Sequence, residues 1–245
     1  MRGFVYIERK IKMSDNRFMR FSALIGERDF TKIEKTHAIV FGIGGVGSAA
    51  IEALARCGVG TLTMVDFDTI ALHNINRQIH ALSSTVGRLK VEAMAERIKD
   101  INPNVKINSF PLRLTEENID DFFIDKPDFI LDAIDDVPGK IALINYGKEH
   151  DIPLISSMGT GNKLNPSQLQ VADISKTSVC PLCRSVRKKL REQGIEKGVN
   201  VVYSQEIPIK SPLMENNKPI PASSALVPPA AGLLMATWVV NQIRN

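Results

Sequence analysis

The hydrophobic pattern of this 245-residue chain switches repeatedly between short apolar runs and helical periods. Residues 36–41 (THAIVF), 61–66 (TLTMVD), 105–110, 128–134 (DFILDAI) and 153–157 (PLISS) are β-rich runs that predict buried strands. Between them, residues 46–57 predict a helix of small and apolar residues. Val86, Leu89, Ala93, Met94, Ile98 and Ile101 then recur at helical spacing. Residues 139–150 predict a further helix, 115–122 a short one with Thr115 as N-cap, and 14–35 a mixed helical lead-in. Strands and helices in alternation predict an α/β fold, a Rossmann-like and mostly parallel sheet with helices on both faces.

Past residue 160 the pattern loosens. Residues 168–174 and 199–205 read as strands, the segment after Cys183 as a basic helix, and 230–243 as an apolar closing helix holding Trp238. Residues 210–221, with their prolines and paired asparagines, are expected to form a mobile loop. The organisation expected is a helical segment over 1–35, a Rossmann-like core over 36–160, and a smaller C-terminal α+β extension over 161–245.

Composition removes several classes of protein. A 44% hydrophobic and 24% charged chain is neither disordered, collagenous nor coiled-coil. Three cysteines cannot make a disulfide framework, which favours a reducing compartment. No apolar run reaches the ~20 residues a bilayer demands, and residues 1–13 carry too much charge for a signal-peptide core. The expectation is a cytoplasmic chain with no membrane partner. Its net charge of +4 resides wholly in residues 184–197 (RSVRKKLREQGIEK), as a local polyanion contact would require.

The chemistry gathers at predicted strand ends. Gly42-Ile43-Gly44-Gly45-Val46-Gly47 follows the first strand and opens a helix. Such a turn lets backbone approach a phosphate at a helix N-terminus. Asp66 ends the next strand, where an acid can bind a ribose hydroxyl. That much fits a dinucleotide or ATP equally. Arg77 and Lys90, within Asn74-Ile75-Asn76-Arg77-Gln78 and Gly87-Arg88-Leu89-Lys90, favour a triphosphate, because departing pyrophosphate builds charge that fixed cations stabilise. Asp135 and Asp136 end the fourth strand and could hold magnesium through oxygen. Asp132 reads as a structural acid, His73 and His80 as turn caps with phosphate positioning as the alternative, and Ser156, Ser157 and Gly159 as the crevice rim.

The glycine turn, Asp66-Phe67-Asp68, Asn74-x-x-Arg77-Gln78, Lys90 and Asp135 together resemble the ubiquitin-activating-enzyme-like (ThiF/MoeB/HesA) adenylation superfamily over about residues 17–160. The resemblance implies ATP in the crevice and transfer of AMP to a carboxylate. It places Gly42, Gly44, Gly45 and Gly47 at the phosphates, Asp66 at the ribose, and Asp68 and Asn74 beside the nucleotide. It also implies Arg77 and Lys90 at the polyphosphate, Asp135 at Mg2+, and a homodimer in which Arg17 (or Arg20) reaches the partner's ATP.

Two branches compete. Sulfur-carrier activators typically hold zinc with two CxxC pairs, whereas this chain has one, Cys180-Pro181-Leu182-Cys183, and otherwise only Cys57. The pair is read as metal-free, with zinc shared across a dimer or a redox role as alternatives. Arg17-Phe18, Asn76-Arg77-Gln78-Ile79-His80-Ala81-Leu82, Asp173-Ile174-Ser175-Lys176-Thr177 and Ser223-Ser224-Ala225-Leu226-Val227-Pro228 instead resemble the tRNA threonylcarbamoyladenosine dehydratases. This branch implies cyclisation of threonylcarbamoyladenosine near the anticodon, through its adenylated carboxylate. It also implies tRNA as partner, and leaves room for an auxiliary sulfur-transfer or cysteine desulfurase protein. Arg184, Arg187, Lys188 and Arg191, at steps of three and four, would then form one helical face along tRNA phosphates. An activator of a ubiquitin-like sulfur carrier is the alternative. A nucleotide-sensing module and an NAD-dependent oxidoreductase are further readings, disfavoured by the retained cations.

Overall fold

Seven strands share one sheet in the order β3-β2-β1-β4-β5-β7-β6. In chain order they are β1 (His37–Phe41), β2 (Thr61–Val65), β3 (Lys106–Phe110), β4 (Phe129–Asp132), β5 (Leu154–Ser157), β6 (Leu169–Asp173) and β7 (Asn200–Ser204). The helices are α1 (Met19–Ile25), α2 (Glu27–Lys35), α3 (Gly47–Arg56), α4 (Lys90–Ile101), α5 (Val137–Glu149), α6 (Pro181–Glu192) and α7 (Val227–Arg244). This computed structural model describes residues 17–215 and 218–244, so the start of the expected helical lead-in and residues 1–13 lie outside the described residues.

The expected parallel sheet is present: β1 to β5 and β7 run parallel, and only the edge strand β6 pairs antiparallel, with β7. Both faces are covered, because alternate residues of β1 enter different cores. Ala38 and Val40 pack into a cluster with α3, α4 and α7, while Ile39 and Phe41 pack with Leu143 of α5 on the other side. Sheet order reverses between β1 and β4, since β2 and β3 extend one way and β5 the other. Ligands of such sheets bind where that reversal opens a crevice beyond the strand ends. The residues expected as a C-terminal extension carry β7 and β6 onto the same sheet, and α7 packs on α3.

Three elements differ from expectation. The helical lead-in breaks at Gly26, whose φ of +88° ends α1 and lets α2 start in a new direction. The short helix expected at 115–122 is a 3-10 turn over Ile119–Phe122. Thr115 does not cap it; its N–H donates to Asn118 Oδ1 at 2.7 Å, so the Asn118 side chain shapes a turn instead. Within the loop expected at 210–221, Met214–Glu215 and Lys218–Pro219 pair as a small antiparallel ladder, β8 and β9.

Candidate active site

The C-terminal ends of β1, β2, β4 and β5 open into one cavity of about 800 Å³. The glycine turn forms its floor. Gly42 has a φ of +83°, and a Cβ on Gly47 would stand 1.8 Å from the Gly42 carbonyl oxygen. Only glycine closes the turn this tightly. A Cβ on Gly44 would meet nothing nearer than Gln78 Nε2 at 4.0 Å, so open backbone borders the cavity at the N-terminus of α3.

Asp66 ties this turn to β2. Its buried carboxylate accepts the Ile43 N–H at 2.6 Å and the Asp68 N–H at 2.9 Å. Burial raises its pKa, against the pull of Lys90, whose Nζ lies 3.6 Å away. Lys90 is the first residue of α4 and only 6% exposed; its ammonium donates to Asp68 Oδ2 at 2.5 Å. Asn74 Oδ1 accepts the Ala71 N–H at 3.0 Å, which folds the segment that presents Arg77. The Arg77 guanidinium donates to the His73 carbonyl oxygen and Asn76 Oδ1 and lines the cavity. Asp135 and Asp136 line the opposite side. Asp136 also caps α5, accepting the Gly139 N–H at 2.8 Å.

Behind them lies Asp132, fully buried as a structural acid should be. Lys140 donates to both its oxygens at 3.1 and 3.0 Å, to Ser156 Oγ at 3.2 Å and to the Ser157 carbonyl oxygen at 2.7 Å. Asp132 in turn accepts the Ile134 N–H, just before Asp135. This hub ties β4 to β5 beneath the crevice rim.

Several placements depart from expectation. His80 caps nothing: it is 2% exposed, and both ring nitrogens lack hydrogen-bond partners among the described residues. Burial, with Lys90 and Arg97 nearby, lowers its pKa to about 4. Arg17, expected at a partner's ATP rather than at its own, donates within this chain to the Ile101 and Asp100 carbonyl oxygens at the end of α4. Arg184, Arg187, Lys188 and Arg191 do share one face, lining a shallow groove with Glu192. Arg187 is also engaged at home, donating to Thr177 Oγ1 at 2.6 Å and the Thr177 carbonyl oxygen at 2.9 Å.

Two further cavity residues entered the sequence motifs without a role of their own. Gln78 is buried, and its Oε1 has no hydrogen-bond partner among the described residues. Half-exposed Phe67 lies under the Arg113 guanidinium, 5.3 Å from its ring centroid. An aromatic between two acids of a binding motif was the signal available for Phe67.

A glycine turn, a buried acid and two cations at the switch point of a parallel sheet are the arrangement of a nucleotide-using adenylation site. The chain belongs to the ThiF family, whose model matches residues 16–245. It is 43% identical over 240 residues to the tRNA threonylcarbamoyladenosine dehydratase of Bacillus subtilis (strain 168), covering 93% of this chain and 94% of that one. The crystal structure of E. coli tRNA N6-threonylcarbamoyladenosine dehydratase, TcdA, in complex with ATP is 34% identical, with a TM-score of 0.86 over 93% of each chain. Its complex with AMP has the same TM-score and coverage at 35% identity. The branch read from the sequence is thus the one these relatives represent. No described helix is long and apolar enough to cross a membrane.

Proposed function

We propose that this chain is an ATP-dependent tRNA threonylcarbamoyladenosine dehydratase. The observation that carries the reading is the convergence of the glycine turn, Arg77, Lys90 and Asp135 on one cavity. The near full-length likeness to dehydratases supports it over the sulfur-carrier alternative.

A carboxylate oxygen of the modified adenosine attacks the α-phosphorus of ATP, and the bond to pyrophosphate breaks. Arg77 and Lys90 supply fixed positive charge where the leaving group gathers negative charge. The backbone at Gly42, Gly44, Gly45 and Gly47 borders the phosphates, and Asp66, Asp68 and Asn74 hold the nucleoside side and its cations. A group of the same side chain then attacks the acyl carbon, and AMP leaves as the ring closes. Tethering makes that attack unimolecular, so no protein nucleophile is required. Magnesium takes oxygen ligands, commonly one or two carboxylates with substrate phosphates. Asp135 fits that role, and the ion's chemistry is to neutralise the polyphosphate.

Arg184, Lys188, Arg191 and the more tightly held Arg187 offer the face for tRNA phosphates. The cytoplasm is the matching compartment. In a homodimer, Arg17 would reach a partner's ATP only after leaving its two carbonyl acceptors on α4. The test is pyrophosphate release from ATP and magnesium with tRNA carrying threonylcarbamoyladenosine, with the same tRNA lacking it, and with no acceptor. Release confined to the modified tRNA is expected. Equal release in all three arms, or none, refutes the reading.

A further inference from the structure

Two cysteines sit where the basic helix begins. Cys180 is the N-cap of α6, Pro181 opens its first turn, and Cys183 follows within that turn. Both are unbridged, and 3% and 1% exposed. Cys180 nonetheless lines the nucleotide cavity, beside Gly159 and Lys163. A Cβ added at Gly159 would lie 3.5 Å from its sulfur. The neighbouring Cys183, Lys163 and Gly159 groups all act to lower the Cys180 pKa, at the N-terminus of α6 where negative charge is favoured. Lys163 is 3% exposed and anchored by donating to the Gly159 carbonyl oxygen at 2.8 Å.

Every one of these groups favours a sulfur anion. Led by the neighbouring Cys183 thiol, they outweigh burial and hold the Cys180 thiol down to about 5, while Cys183 is pushed up. Packing alone would account for two buried thiols but not for their place at a helix N-terminus in the cavity wall, next to a buried ammonium anchored on Gly159. Cys57, at the end of α3, shows the contrast: burial pushes it up to about 11.

We propose that Cys180 and Cys183 are a redox-active dithiol opening onto the nucleotide cavity, with Cys180 attacking, Cys183 resolving, and a small-molecule disulfide as the oxidant. The Cys180 sulfur attacks one sulfur of that disulfide, and the other sulfur leaves as a thiolate. Cys183 gives up its proton and attacks the Cys180 sulfur of the mixed disulfide, expelling the second thiolate. The protein loses two electrons and gains one S–S bond, and the oxidant becomes two thiols. The two residues stand three apart within one helical turn, which keeps their side chains adjacent.

The test treats the full chain with glutathione disulfide and maps its cysteines by mass spectrometry. The wild type should close Cys180 to Cys183 and leave Cys57 reduced. Cys183→Ser should stop at a glutathione adduct on Cys180. In the untreated wild type, iodoacetamide provides a readout that needs no variant. At pH 7 the lowered Cys180 pKa and the raised Cys57 pKa should make Cys180 the faster of the two to alkylate, although Cys57 is the more exposed. An adduct on Cys57 in place of Cys180, or alkylation of the two at equal rates, overturns the proposal. Neither readout depends on adenylation, so the outcome stands apart from that of the proposed function.

Discussion

Two buried lysines, both paired with aspartate, stand on opposite sides of the same crevice and serve different ends. Lys90 opens α4 and faces Asp68, half-exposed, and Asp66, which already holds two backbone N–H groups. Lys140 lies inside α5 and is sealed at 0% exposure, with Asp132, Ser156 and the Ser157 carbonyl around it. The chemistry of the pairs is alike; access to the cavity separates them. Lys90 borders the cavity and can exchange a carboxylate for a phosphate, whereas Lys140 is absent from its lining. An ammonium that a ligand can recruit is a functional cation, and one that no ligand can reach is a fastener between β4 and β5.

The sharpest way to break this comparison is to remove Lys140. Lys140→Met leaves Asp132 a buried carboxylate without its cation, which costs about 3–5 kcal/mol. The urea midpoint should fall accordingly. A second change, Asp132→Asn, should return a large part of the loss, because the unpaired charge goes with it. An unfolding free energy within about 1 kcal/mol of wild type for Lys140→Met would mean that the pair fastens nothing.

Lys90→Met should behave in the opposite way. Asp66 keeps its two N–H donors, so the fold survives, while the fixed charge on departing pyrophosphate is lost. Loss of one such stabilising group lowers turnover by roughly 10²–10³, or ~3–4 kcal/mol of barrier. Pyrophosphate release with modified tRNA and the urea midpoint, measured on the same preparation, separate the two lysines. If Lys90→Met unfolds as Lys140→Met does, or keeps most of its turnover, the distinction fails.

The distinction was half legible in the sequence. Lys90 stands in a motif with Arg77 and the glycine turn, all local signals near strand ends, so its place at the cavity could be read without coordinates. Lys140 carries no such signal. Its partners come from β4 and β5, and only the strand order that sets them side by side makes a hub of them. The strands themselves were legible because buried parallel strands are continuous apolar runs. The break at Gly26 and the failed helix at 115–122 were not, since a single positive φ and one Asn118 side chain decided them. Arg187 appeared in the sequence as one of four equivalent cations, and its bonds to Thr177 arise from the turn before α6.

His80 offers the smallest and most specific test, because it lies in the field of Lys90. Its pKa is about 4 in the fold, below the ordinary 6.5. Between those values the unfolded chain binds the proton more readily, so stability rises with pH. The contribution is fully present above about pH 6.5 and is lost as pH falls toward 4. At about 1.4 kcal/mol per pH unit it amounts to on the order of 3 kcal/mol across the window. Carboxylates titrate there too, so the quantity to measure is the difference between wild type and His80→Gln. The wild type should lose about 3 kcal/mol more than the variant between pH 7 and pH 4 in urea titrations. Parallel losses would mean that the ring finds a proton-accepting partner in the fold, and that the surroundings of Lys90 tolerate a second positive charge.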